Sequence, residues 1–366
     1  MAEHHREPGS QPHEHDGEEG AVALAASPLV SLQDIVVVYQ VRKGLFRTDE
    51  VHALNGVSLD VARGETVGLV GESGSGKSTL GRVSLRLIRP NAGRVIFDGR
   101  DITATPEEEL GWLRKRAQII FQDPFSSLNP YFRVRDLVEE PLIIDGVPAA
   151  ERLERVYRAL EAVELVPAQR FAGKYPTMLS GGQRQRVGIA RALVRYPDYI
   201  VADEPVSMID ASSRVEILDL LRSIQAERGV TFLYITHDIA SARHFASRIA
   251  VMYQGTIVEL GPAGRVIDNP LHPYTRALIE AIPEPDPRNR FRHRAVVPGE
   301  PAAGGPLPAG CPFFPRCPSR IVGTCERARP RLDEIEPGHV VACYLYDRAR
   351  EGDSRDTPAG DGARQG

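Results

Sequence analysis

Between two polar ends, the chain alternates short apolar runs with stretches whose apolar residues recur every three to four positions. Residues 66–70 (TVGLV), 117–122 (AQIIFQ), 199–204 (YIVADE), 231–237 (TFLYITH) and 248–260 (RIAVMYQGTIVEL) read as strands. Several are apolar throughout, so both of their faces are buried. Residues 78–88 (STLGRVSLRLI), 149–165 (AAERLERVYRALEAVEL) and 212–229 (SSRVEILDLLRSIQAERG) read as helices, the last stopped by Gly229. This alternation predicts an α/β fold with a mainly parallel sheet flanked by helices. Residues 29–41 (LVSLQDIVVVYQV) and 52–65 (HALNGVSLDVARGE) predict antiparallel strands beside that sheet, and 124–176 a helical insertion. No internal repeat is evident.

Residues 1–27 are polar, acidic and His-rich, and 348–366 are similarly polar. Neither end offers enough apolar surface to offset the entropy of ordering, so both read as disordered tails. His4, His5, His13 and His15 form either a transition-metal site or part of a solvated tail.

The length of 366 residues fits two to three domains, or one large α/β unit with an appendage. With 42% hydrophobic and 26% charged residues, the composition is that of a globular protein. A formal net charge of −4 gives no basic field, which argues against a nucleic-acid partner. No apolar run of about 18 residues exists, so the expectation is a soluble, unexported chain that spans no bilayer. The four cysteines, Cys311, Cys317, Cys325 and Cys343, fall in the last sixth of the sequence with spacing C-x5-C-x7-C-x17-C. Such a cluster can hold a tetrahedral Zn²⁺ or a [4Fe–4S] cluster, or consist of plain buried thiols.

Chemistry concentrates in three segments. The loop Gly71, Glu72, Ser73, Gly74, Ser75, Gly76, Lys77, Ser78, Thr79 follows a predicted strand and opens a predicted helix. Its glycines permit close backbone approach, so successive N–H groups converge on the β- and γ-phosphates of a nucleotide at the positive end of a helix. Lys77 neutralises phosphate charge and Ser78 is placed to ligate Mg²⁺. Asp203, ending an apolar strand, supplies a second Mg²⁺ ligand, and Glu204 beyond it can polarise an attacking water. The segment LSGGQRQR, 179–186, puts Ser180, Gly181, Gly182 and Gln183 at a second helix start suited to an anion.

In this order the segments resemble the ATP-binding cassette family over roughly residues 30–265. The resemblance implies a P-loop NTPase cassette spanning 28–265, with a RecA-like parallel-sheet core, an antiparallel β subdomain and a helical subdomain at 124–176. It implies that Gln122 reaches Mg²⁺ and the attacking water, and that His237 contacts the γ-phosphate. Tyr39 stands where an adenine-stacking aromatic is expected; the other reading is a buried strand tyrosine. Two cassettes meet head to tail in this family. Ser180, Gly181, Gly182 and Gln183 then close over the nucleotide held by the opposite loop, and Asp210 organises contacts between the two sites. The family's Ser-Ala-Leu-Asp appears here as Ser207-Met208-Ile209-Asp210.

At subfamily level, residues 122–142, 269–287 and the Pro- and Cys-rich stretch within 266–347 resemble ATPase subunits of oligopeptide and dipeptide importers. That resemblance implies a second cassette, non-identical by analogy although a homodimer stays open. It also implies two membrane permeases, an external solute-binding protein and a place on the cytoplasmic face of the membrane. It favours a [4Fe–4S] cluster over Zn²⁺ at the cysteines, whose spacing is looser than the paired spacing of zinc ribbons. An oligosaccharide importer is the alternative cargo reading. A soluble cassette ATPase, or an iron–sulfur regulator, is the alternative class.

Overall fold

The structure is a computed structural model that describes residues 27–43, 47–282 and 307–347. The four tail histidines and the C-terminal tail lie outside the described residues.

In chain order the first elements are β1 (Val30–Lys43), β2 (Arg47–Val61), β3 (Thr66–Val70), α1 (Lys77–Ser84), β4 (Ala92–Phe97) and β5 (Arg100–Asp101). Next come α2 (Gly111–Arg116), β6 (Ala117–Ile120), α3 (Pro124–Ser127), α4 (Val134–Ile144), α5 (Ala149–Ala162), α6 (Ala168–Ala172) and α7 (Gly181–Leu193). They are followed by β7 (Tyr199–Asp203), α8 (Ala211–Arg228), β8 (Thr231–Thr236), α9 (Ile239–Phe245), β9 (Arg248–Tyr253), β10 (Thr256–Pro262), α10 (Ala263–Asp268) and α11 (Pro273–Glu280). β11 (Asp333–Glu336) and β12 (His339–Val341) close the described chain.

These strands form two sheets: an antiparallel one in the order β2-β1-β4-β5, and an eight-stranded one in the order β11-β12-β10-β9-β3-β8-β7-β6. Strands β9, β3, β8, β7 and β6 run parallel, as the alternation predicted. Their continuous apolar character follows from position. Phe232 and Tyr234 of β8 and Ile200 and Ala202 of β7 pack into one core with the helices. Leu233, Ile235, Tyr199 and Val201 alternate into a second core. There they meet Leu32, Ile35, Leu59 and Phe97 of the antiparallel sheet. Each fully buried side chain of this kind contributes about 1.5–3 kcal/mol.

The structure corrects the reading of 248–260 as one strand. Gln254 and Gly255 both have positive φ, 44° and 73°, and turn the chain into the β9–β10 hairpin. Two consecutive left-handed residues suit the right-handed twist of paired strands. Helix α8 ends at Gly229, φ 64°, as its sequence indicated. The C-terminal segment adds to the main sheet directly, because β12 pairs antiparallel with β10 through Glu259↔Val341 and Leu260↔Val340.

Candidate nucleotide site

Four parallel strands deliver the site. The phosphate loop leaves the end of β3, Gln122 follows β6, Asp203 ends β7 with Glu204 just beyond it, and His237 follows β8. Gly76, φ 102°, immediately precedes α1; a Cβ there would lie 2.4 Å from the Ala53 carbonyl oxygen, so no other residue fits without displacing backbone.

Lys77 is buried, and its Nζ donates to the carbonyls of Gly71 at 2.8 Å and Glu72 at 2.9 Å. Burial lowers its pKa, opposed by the carboxylates of Glu204, Asp203 and Glu72. Ser78 Oγ donates to Asp203 Oδ1 at 2.9 Å. Burial raises the Asp203 pKa, and that hydrogen bond offsets part of the shift. Two oxygen donors therefore sit in contact, the hard ligand set that Mg²⁺ prefers. Glu204, at φ 46°, is held by its backbone N–H to the Ile235 carbonyl at 2.9 Å. Its Oε2 takes a hydrogen bond from Gln122 Nε2 at 3.0 Å and stands 3.2 Å from His237 Nδ1. Gln122 and His237 thus converge on one carboxylate oxygen of Glu204.

Tyr39 lies on β1, 36% exposed, with its hydroxyl 3.5 Å from Thr79 Oγ1. This places the ring beside the loop and sets aside the reading of a buried strand tyrosine. Residues 42–43 and 47–52 extend the pairing of β1 with β2.

Ser180 and Asp210 engage elsewhere. Ser180 caps α7: its Oγ accepts from the Gln183 N–H and its own N–H donates to Gln183 Oε1, both at 3.2 Å. Gly181 and Gly182 form the first turn, and a Cβ on Gly182 would meet Ser213 at 3.4 Å. Asp210 caps α8, accepting from Ser213 N–H at 2.9 Å and Ser212 Oγ at 2.6 Å. Those bonds pull its pKa down to about 2.

The four thiols gather in the C-terminal segment. The Cys311 and Cys343 pKa values are pushed up to about 11, first by burial, and each thiolate's charge also acts on its neighbours. Cys317 is raised for the same reasons, with Cys325 its charged neighbour. Among the described residues no group of three or more His, Cys, Asp or Glu side chains is set to hold a metal ion.

Two contacts on the loop were missed from sequence. Tyr274 Oη accepts the Glu72 N–H at 2.9 Å, and Arg316 pairs with the Glu72 carboxylate. Tyr274 lies within a segment singled out only for its resemblance, and no local signal ties position 316 to position 72.

A phosphate loop, an acid beside its serine, and a glutamate held by a glutamine and a histidine define a nucleoside-triphosphate-binding P-loop protein. The family model described as "ABC transporter" matches residues 54–207, and that described as "Oligopeptide/dipeptide transporter, C-terminal region" matches 258–325. The oligopeptide transport ATP-binding protein AppF of Bacillus subtilis is 44% identical over 323 residues, covering 87% of this chain and 97% of AppF. The dipeptide transport ATP-binding protein DppF of Haemophilus influenzae is 41% identical over 323 residues, 88% of this chain and 98% of DppF. Among solved structures, a dimeric post-hydrolysis state of the ATP-binding cassette MJ0796, bound to ADP and Pi, superposes with TM-score 0.57 at 34% identity. It covers 64% of this chain and 98% of that one. The chain belongs to the ABC transporter family, as one of its ATP-binding, ATP-hydrolysing subunits.

Proposed function

We propose that this chain powers an importer of dipeptides or oligopeptides from the cytoplasmic face of the membrane. ATP binding draws it against a second homologous cassette, and hydrolysis releases the pair. The names of its relatives and the match of its C-terminal region support the cargo class. Among the described residues no helix is long and apolar enough to cross a membrane. By the likeness to oligopeptide and dipeptide transport ATP-binding proteins, its partners are two permeases fed by an external solute-binding protein. A groove lined by Phe121, Leu128, Pro141, Ile144 and Arg191, next to the Gln122 loop, suits a permease helix. Its exposed Phe121 and Ile144 leave apolar surface to cover.

The observation that carries the reading is the convergence of Gln122 and His237 on Glu204, beside the Ser78–Asp203 pair. The loop N–H groups and Lys77 hold the triphosphate, while Ser78, Asp203 and Gln122 would hold Mg²⁺. Bound there, Mg²⁺ neutralises charge on the β- and γ-phosphates. Gln122 and His237 orient the Glu204 carboxylate, which takes the proton of the attacking water. Tyr39 stacks on the adenine. Ser180, Gly181, Gly182 and Gln183 cap the neighbour's γ-phosphate, and Asp210 links the two sites. The four cysteines would hold a [4Fe–4S] cluster, with Zn²⁺ as the alternative, once their thiols draw together, and would so staple a segment with little core of its own.

Glu204→Gln tests the assignment. It is expected to lower ATP turnover at least about a hundredfold, the scale of a lost general base, while ATP still binds. Turnover at the parent rate would remove Glu204 from the mechanism. In proteoliposomes holding the whole assembly, peptides should raise turnover and oligosaccharides should not; the reverse would reassign the cargo.

A further inference from the structure

Glu72, the second residue of the phosphate loop, is gripped through each of its polar groups. Its N–H donates to Tyr274 Oη at 2.9 Å, and its carbonyl accepts from Lys77 Nζ at 2.9 Å. Its carboxylate receives a two-pronged ion pair: Arg316 Nη1 to Oε2 at 2.9 Å and Nη2 to Oε1 at 3.1 Å. A planar guanidinium matched in this way fixes orientation as well as charge.

Arg316 is itself firmly placed. Its side chain is 10% exposed, its Nη1 lies 3.4 Å from Tyr253 Oη, and its guanidinium stands 5.9 Å from the centre of the Tyr253 ring. It closes the one-turn 3-10 helix Phe314–Arg316. The residue before that turn, Phe313, is 1% exposed and packs against the rings of Tyr253 at 5.3 Å and Tyr274 at 5.4 Å. The aromatic group is thus a rigid seat that carries a guanidinium from the C-terminal segment into the nucleotide site.

A carboxylate in a loop that must accept a polyanion repels its ligand unless its charge is cancelled. We propose that Arg316 is a positioning residue for nucleotide binding: it neutralises and orients Glu72, so the C-terminal segment sets the loop's affinity for ATP. This rests on the reading of the loop as the ATP site and goes beyond it, since that reading gives the segment no part in nucleotide binding.

The test uses the full chain, with Mg·ATP for turnover and a fluorescent trinitrophenyl-ATP for equilibrium binding. Arg316→Met keeps the packed stem and removes the charge. It is expected to raise KM and Kd about tenfold, the scale of an uncancelled charge close to the phosphates, with kcat within about twofold of the parent. The defect should shrink as salt rises. Adding Glu72→Gln should restore Kd to within about twofold of the Glu72→Gln single variant, because the charge to be cancelled is then gone. Arg316→Lys should fall between parent and Arg316→Met.

Unchanged affinity in Arg316→Met overturns the proposal. So does a defect that Glu72→Gln leaves in place, which would make Arg316 a fold-supporting residue only. If Arg316→Met melts well below the parent, Arg316→Lys with and without Glu72→Gln is judged by the same rescue. A parent chain that binds no ATP would instead overturn the functional reading, and this inference with it.

Discussion

Burial decides protonation at His272. The ring is 1% exposed, and its Nδ1 accepts the Tyr274 N–H at 3.0 Å as the N-cap of α11, while the backbone N–H of His272 donates to Glu259 Oε2 at 2.8 Å. Burial, with the nearby Arg276 charge adding, pushes its pKa down to about 3. An unfolded histidine titrates near 6.5. Below that value the unfolded chain takes up a proton that the folded chain refuses, so this contribution to stability is complete above about pH 6.5. It is lost as pH falls toward 3, at up to about 1.4 kcal/mol per pH unit. His272→Asn preserves a capping acceptor and removes the titration. Urea midpoints at pH 7, 6 and 5 should therefore fall less steeply for the Asn variant, by about one proton's worth; equal slopes would contradict the account. Residues that act through neighbours in sequence were legible: Lys77 and Ser78 stand together in one loop, and Asp203 beside Glu204 ends an apolar strand. His272 and Arg316 were not, because burial and the pairing with Glu72 arise only once the C-terminal segment folds back onto the loop.

Elements were legible wherever hydrophobic pattern and local stop signals agreed. Strands β3, β7 and β8 and helix α8 follow from apolar runs and from Gly229. The β9–β10 hairpin was missed because apolar residues continue across it; Gln254-Gly255 alone marks the turn. That turn also braces the site, since the Gly255 N–H donates to the Ser75 carbonyl at 2.9 Å and its own carbonyl accepts the Asn55 N–H at 2.9 Å. The cysteine segment has the opposite character, with little regular structure to read. Its backbone is tied by the Cys311 N–H to the Cys325 carbonyl at 2.7 Å, and the Ile321 N–H points at Cys325 Sγ from 3.4 Å. If these cysteines hold the proposed cluster, protein prepared without oxygen should be brown and contain iron and acid-labile sulfide, and Cys317→Ser should lose both and melt lower. Zinc without iron would select the zinc alternative. Neither metal in fresh anaerobic protein would leave the four thiols as packing alone.

At the scale of the whole molecule, the parallel sheet accounts for where the proposed catalytic groups meet. Strands β3, β6, β7 and β8 end on one edge, so the loop, Gln122, Glu204 and His237 assemble there without further folding instructions. Ser180 belongs to another part of the molecule, at the start of a helix whose body packs on α4 and α5. Its bonds return to its own helix, and the helix dipole leaves this second terminus positive. In the proposed arrangement a neighbour's triphosphate satisfies it, and the pairing must be reciprocal if each chain presents one loop and one cap. Association should then depend on the triphosphate and on its survival. In sedimentation velocity, Glu204→Gln protein with Mg·ATP is expected to shift to a dimer, and with Mg·ADP to remain a monomer. Adding Ser180→Arg puts a bulky side chain over the cap and should return the ATP sample to monomer while Kd for ATP in one chain's loop changes by less than about threefold. If that variant dimerises as readily as Glu204→Gln alone, the second helix terminus has no nucleotide to cap and the head-to-tail arrangement is wrong. If the chain forms such dimers only when mixed with a different cassette, the arrangement stands and the partner is a non-identical subunit.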